Sequence, residues 1–325
     1  MTTILLTACE ASGDAMGASL MEELRALRPE TRFIGGGGAA MQAAGLKHSL
    51  PTDRLAVMGP WDALLALPRA LKLCRQLADL SAQMKPDAAV LIDSWAFSKL
   101  AAQAIRKASP GTKLVKLAVP QVWASRPQRA AVAAELFDLL LCLFAFEPAY
   151  FEREGGSAAF VGNPNFQMAA KVPRSGDAFK ERRGLTDGRI VALLPGSRAG
   201  ELKHLLPIYR ETAQCLCSQV PDLRLVMVAA PAMFDRLRQE VATWANPVLV
   251  VSAEERMDVF AASDVALAAS GTVTTELAIA GTPMVVAYKI GPLTAFWAKR
   301  VITTEFITIL NIAAGREVVP ERIQD

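Results

Sequence analysis

The chain has 325 residues, 52% of them hydrophobic and 21% charged, with a formal net charge of +3. That length and apolar fraction suit a folded protein with two separate cores. So mild a charge, with no Lys/Arg run interleaved with aromatics, excludes a nucleic-acid surface, and no uncharged apolar stretch reaches the ~18 residues of a membrane span.

In chain order, the N-terminus opens on an apolar run at 3–8 with no basic leader before it, and further buried-strand patterns follow at 31–35, 88–92, 113–119, 138–143 and 158–161. Helical periodicity at 14–28, 62–82 and 96–108 fills the intervals. Around 163–187 the alternation breaks at Asn163-Pro164-Asn165, Pro173, Ser175-Gly176 and Asp187-Gly188, which predicts a domain boundary near residue 165. A second series then begins, with strands at 190–194, 223–229, 247–251, 264–268 and 283–287 and helices at 201–219, 233–243 and 273–280. The pattern predicts an α/β chain of two Rossmann-like domains, 1–165 and 166–325, each a parallel sheet, facing a cleft between the sheets' C-terminal edges. Cys9, Cys74, Cys142, Cys215 and Cys217 are odd in number and mostly apolar in context, so free thiols in a reducing, cytoplasmic compartment are expected. No zinc spacing occurs, and the isolated His48 and His204 gain no role.

Two loops in the second half carry the clearest chemical signal. Pro195-Gly196-Ser197-Arg198 follows the strand at 190–194, and Ser270-Gly271-Thr272 follows the strand at 264–268, with Glu276 four residues beyond. Small and hydroxyl residues between a buried strand and a helix offer free backbone N–H groups and a positive helix end, which suit a diphosphate. Arg198 adds a guanidinium, and Glu276, one turn past Thr272, can accept ribose hydroxyls. In the first half, the first strand ends in Cys9-Glu10-Ala11-Ser12-Gly13-Asp14, where small residues permit close approach to backbone and Asp14 suits a helix cap or first turn. Glu10 reads either as a cleft-facing carboxylate or as part of a capping segment. The strand at 88–92 ends in Asp93, which reads as a general base or as the cap of the following helix. The 55–80 stretch, with Met58, Pro60, Trp61, Arg69, Lys72 and Arg75, fits either a buried helix or an apolar, basic-edged face for anionic lipid and acyl chains. Asn311 and Gly315–Glu321 read as a solvated terminal loop.

Taken in order, these motifs resemble the lipid-A-disaccharide synthases, inverting glycosyltransferases of GT-B architecture. The resemblance runs through Glu10–Asp14, Leu55–Gly59, Lys85-Pro86-Asp87 with Ile92-Asp93, Pro120–Ala124, Leu193–Arg198, Ala269–Thr272 with Glu276, and Asn311–Glu317. It implies transfer of 2,3-diacylglucosamine from its UDP derivative to 2,3-diacylglucosamine 1-phosphate, with UDP as product, no cofactor and no metal. By position it implies Asp93, Glu10, Arg198 and Asn311 as catalytic residues. Pro195, Gly196, Ser197, Arg198, Ser270, Gly271, Thr272 and Glu276 fall to the UDP of the donor, and Ser12, Gly13, Asp14, Met58 and Trp61 to the acceptor or its lipid. It further implies peripheral contact with the inner membrane from the cytoplasm, and a homodimer.

This chain departs from the family in places. Ser94-Trp95-Ala96-Phe97-Ser98 stands where a Pro-Asp-Phe-Asn run is common, so a second carboxylate is missing; Asn163 replaces a His, and Cys9 a Gly. The family's crossover helices, which lie beyond residue 325, are expected to be missing. Two other readings stay open: a catalytically degenerate homologue that binds UDP-sugar or lipid, and another GT-B enzyme acting on UDP-N-acetylglucosamine.

Overall fold

The computed structural model describes residues 2–50, 52, 60–289, 291 and 304–324, with the backbone alone at 49 and 60–66. Its contacts divide the chain into two compact units, Met1–Pro164 and Asn165–Asp325.

The first unit runs β1 (Thr3–Thr7), α1 (Ala11–Leu27), β2 (Arg32–Gly36), α2 (Ala39–Ala43), β3 (Lys47–Leu50), α3 (Pro60–Met84), β4 (Ala88–Ile92), α4 (Trp95–Ala108), β5 (Lys113–Leu117), α5 (Arg129–Leu136), β6 (Leu139–Cys142), α6 (Pro148–Glu152) and β7 (Ala158–Phe160). Its strands pair in the order β3-β2-β1-β4-β5-β6-β7, every pairing parallel. Parallel strands need helical crossovers, which cover both faces, so β1 and β4 are buried almost throughout rather than alternately. Helix α4 turns Phe97, Ser98, Ala101, Ala102 and Ile105 inward at helical spacing. At its far end Asp138 accepts from Arg106 (2.6 Å), Lys113 (3.3 Å) and the Leu114 amide (2.8 Å), tying α4 to β5 and the start of β6. Burial alone would raise the Asp138 carboxyl; the Leu114 amide, Arg106 and Lys113 outweigh it and bring the pKa down to about 2.

The second unit holds α7 (Pro164–Lys171), α8 (Gly176–Arg183), β8 (Ile190–Leu194), α9 (Ala199–Gln219), β9 (Arg224–Ala229), α10 (Phe234–Val241), β10 (Val248–Ser252), α11 (Arg256–Ala262), β11 (Val265–Ala268), α12 (Thr272–Ala280), β12 (Met284–Tyr288), α13 (Ile309–Ala314) and β13 (Glu321–Ile323). The parallel order is β10-β9-β8-β11-β12-β13, with β8 wholly buried. In each unit the chain leaves its first strand in one direction and later returns to its other side. The switch points lie between β1 and β4 and between β8 and β11.

The α/β pattern thus holds in both halves, with differences at short elements. The breaker-rich 163–187 stretch contains α7 and α8, because Pro164 opens one helix and Ser175 caps the other by accepting from the Ala178 amide (3.3 Å). Helix α1 starts at Ala11, three residues before the periodicity does. The terminal segment read as solvated loop includes α13 and β13, and Val319 within it is buried. Cys9, Cys74 and Cys142 are buried free thiols, Cys9 pushed up to about 12 chiefly by burial, whereas Cys215 is exposed on α9. Among the described residues no helix is long and apolar enough to cross a membrane.

Candidate active site

At the first switch point the ends of β1 and β4 bring Glu10, Ser12 and Asp93 together. Glu10 is an exposed residue, and its carboxyl is raised by desolvation first, then by the charge of Asp93 and by hydrogen bonding with it. Ser12 Oγ donates to Asp93 Oδ2 at 3.4 Å. Gly13 suits this closeness: a Cβ there would lie a tight 3.3 Å from the Cβ atoms of both Ala8 and Asp93, so the first turn of α1 packs directly on the end of β4. Asp93 has φ 55° and Ser94 φ 20°, a left-handed pair of non-glycine residues that turns the chain sharply from β4 into α4. Ala96, which stands where the family's second carboxylate would be, is exposed in the first turn of α4.

Three first-half residues need correction or fall elsewhere. Asp14 is buried and committed: its carboxylate accepts from the amides of Gly38 (2.7 Å), Ala40 (2.9 Å) and Met41 (3.1 Å). It therefore anchors the start of α2, a charge-assisted cap, instead of offering oxygens to an acceptor. Met58 lies outside the described residues. Trp61 is in the first turn of α3, where the side chain lies outside the description.

At the second switch point, Pro195 is buried and Gly196, Ser197 and Arg198 lead from β8 into α9. The donors of this loop are already engaged. Glu201 Oε2 accepts from the amides of Ser197 (3.2 Å) and Arg198 (3.3 Å), and Glu201 Oε1 pairs with Arg198 Nη1 at 3.1 Å. Gly196, at φ 104°, leaves room for that carboxylate, since a Cβ there would stand 2.5 Å from Glu201 Oε2. Arg198 itself remains 79% exposed. A carboxylate thus sits on the N–H groups that the sequence offers to a diphosphate, and a diphosphate would have to displace it. Beside this loop, Gly271 and Thr272 are exposed at the start of α12, and Ser270 is half-buried with a long 3.4 Å contact to the Ile307 carbonyl. Glu276 is gripped by Arg256 (3.1 Å from Nε, 3.2 Å from Nη2), which the sequence reading missed because nothing in its spacing marks it.

Asn311 is the clearest correction. It is 0% exposed, and its side-chain amide is spent within the chain. Its Nδ2 donates to the Val319 carbonyl (2.8 Å) and to Glu321 (2.7 Å), and its Oδ1 accepts from the amides of Val318 (2.8 Å) and Val319 (2.9 Å). Glu321 in turn accepts from the Ile307 (2.9 Å) and Thr308 (2.9 Å) amides. Asn311 and Glu321 are a clasp that closes the 307–321 segment, which Ser270 touches. Among the described residues no cluster of three His, Cys, Asp or Glu side chains is placed to hold a metal ion.

The profile of the lipid-A-disaccharide synthetase family matches residues 4–325. The chain is 38% identical to the lipid-A-disaccharide synthase of Granulibacter bethesdensis, over 99% of this chain and 82% of that protein. It is 39% identical to the same enzyme of Gluconobacter oxydans, over 99% and 77%. In fold it is similar to the UDP-GlcNAc 2-epimerase of Methanocaldococcus jannaschii (TM-score 0.59, 13% identity, 100% of this chain and 89% of that one). It is also similar to Anabaena HepE, solved with UDP and glucose (TM-score 0.53, 15% identity, 88% and 80%). These neighbours agree with two Rossmann-like domains of GT-B type, and the sequence matches carry the assignment: the chain belongs to the lipid-A-disaccharide synthetase family.

Proposed function

We propose that this chain, a lipid A biosynthetic glycosyltransferase by family, moves 2,3-diacylglucosamine from its UDP derivative to 2,3-diacylglucosamine 1-phosphate. The observation that carries the mechanism is the Asp93 carboxylate at the first switch point, set on a left-handed turn at the end of β4 where Ser12 Oγ donates to it at 3.4 Å. Asp93 takes the proton of the acceptor 6-hydroxyl, O6 attacks the donor's anomeric carbon, and the bond from that carbon to the diphosphate breaks on the opposite face, inverting it. Glu10, whose carboxyl is raised by burial and by Asp93, flanks the base and orients the acceptor. The charge on departing UDP is met by Arg198 and by the amides that open α9 and α12, while Glu276, held by Arg256, takes the ribose. No cofactor or metal enters this scheme.

Peripheral contact with the inner membrane and homodimer formation belong to the same proposal. Leu67 and Leu71, 42% and 39% exposed on α3 among exposed Arg69, Lys72 and Arg75, support the membrane contact. A homologue that binds UDP-sugar without turnover is the second reading, favoured by Ala96 in place of an acid. The test is UDP release from UDP-2,3-diacylglucosamine in detergent micelles with and without acceptor. Acceptor-dependent release, lost at least 100-fold in Asp93→Ala, is expected; UDP binding with no release in the unaltered chain would favour the binding-only reading.

A further inference from the structure

Beneath Asp93 lies Lys116, 1% exposed on β5 and, among the described residues, the one buried lysine. Its ammonium meets three main-chain carbonyls: Leu91 (3.3 Å), Leu117 (3.0 Å) and Asp93 (2.5 Å). The Asp93 carbonyl also accepts from the buried Ser98 Oγ at 2.9 Å, and the Asp93 amide donates to the Leu117 carbonyl at 3.1 Å. The peptide groups around a turn that L-residues avoid are therefore held from two elements, β5 below and α4 beside it.

We propose that Lys116, together with Ser98, is a positioning residue for the transfer: by clamping the Asp93 carbonyl it holds the left-handed Asp93–Ser94 turn that aims the Asp93 carboxylate at Glu10 and the acceptor hydroxyl. This rests on Asp93 as the proton acceptor. A general base must meet its proton at hydrogen-bond distance, and a misplacement of about 1 Å can cost 10²-fold. The ionisable groups that face Lys116 are Asp93 and the Cys9 thiol at the end of β1, and burial brings the lysine down to about 7, so the clamp is poised to loosen as pH rises above neutrality.

The test compares Lys116→Met, Ser98→Ala, the double variant and Asp93→Ala in acceptor-dependent UDP release between pH 5.5 and 9, with UDP affinity measured by calorimetry. Lys116→Met should lower kcat at least 10-fold and Ser98→Ala about 3- to 10-fold, the scale of one hydrogen bond. UDP affinity should stay within twofold, because its loops lie in the other unit. The double variant should lose less than the product of the singles, since both donors act through one carbonyl. The decline of kcat above neutrality that loosening of the clamp gives the wild type should also be absent in Lys116→Met, a change that a merely structural role would not produce. If Asp93→Ala is inactive while both single variants keep wild-type kcat and pH profile, the positioning role is overturned and the base reading stands. If Lys116→Met fails to fold, Ser98→Ala decides alone, and an unchanged kcat overturns the proposal. Activity retained in Asp93→Ala would overturn the base reading and this proposal together.

Discussion

Glu10 and Asp93 sit at the ends of two neighbouring strands, so the fold forces two acids to share one small volume. An acid raised in the folded state stabilises that state below its ordinary pKa, and the contribution is lost as pH rises through the raised value. At pH 8, then, an ionised Glu10 beside Asp93 works against folding, and Glu10→Gln should melt at a higher temperature than the wild type. Near pH 4 the advantage should vanish. Melting curves at the two pH values check this, and an equal or lower Tm at pH 8 would remove the repulsion from the account. Both acids were legible in the sequence because each ends a buried strand just before a helix. Lys116 was not: Lys113-Leu114-Val115-Lys116-Leu117 gives no sign that its second lysine is buried while its first is exposed. Which of the two points inward depends on how neighbouring strands register, and periodicity does not carry that.

At the scale of elements, the same helix start can bind its own side chain or a ligand. Glu201, in the first turn of α9, accepts the Ser197 and Arg198 amides and pairs with the Arg198 guanidinium, as an ordinary capping glutamate does. Because a diphosphate competes for those donors, Glu201→Gln should tighten UDP about 3- to 10-fold in calorimetry while weakening the cap; looser binding would show that Glu201 helps to hold the nucleotide instead. The loop and Arg198 could be read from residue types, but their engagement by a carboxylate three residues on could not, since reach depends on rotamer. Asn311 is the opposite case, a residue legible as special whose work is structural. Asn311→Ala strips the partner from the buried Val319 amide and removes one of several donors from Glu321, so it should destabilise the second unit by about 1–3 kcal/mol. Urea unfolding reads that loss; an unchanged midpoint with lost kcat would restore a catalytic role.

Across the whole molecule, two sheets that share one strand order over six strands, the first carrying a seventh at its edge, place different chemistry at the same topological point. The loops after β1 and β4 carry acids, while those after β8 and β11 carry amides, hydroxyls and Arg198. That contrast was legible because strand ends and their polar residues are local in sequence. The strands β3 and β13 were not, since Lys47–Leu50 and Glu321–Ile323 are mostly polar or charged and carry no apolar run to mark them. If the polarity at the two switch points divides the labour, UDP alone should act on one unit. At 100 times its dissociation constant a ligand stabilises its site by about 2.7 kcal/mol, which slows exchange of the amides that open only with release by roughly 100-fold. Hydrogen exchange should therefore slow at 196–202 and 271–276 and stay unchanged at 10–14 and 93–98. Glu201 would be released as its amide partners turn to the diphosphate, so protection at 197 and 198 should exceed that further along α9. Protection centred on 10–14 would place the nucleotide on the acidic switch point, where two carboxyls would repel a diphosphate, and would reverse the assignment of donor and acceptor to the two units.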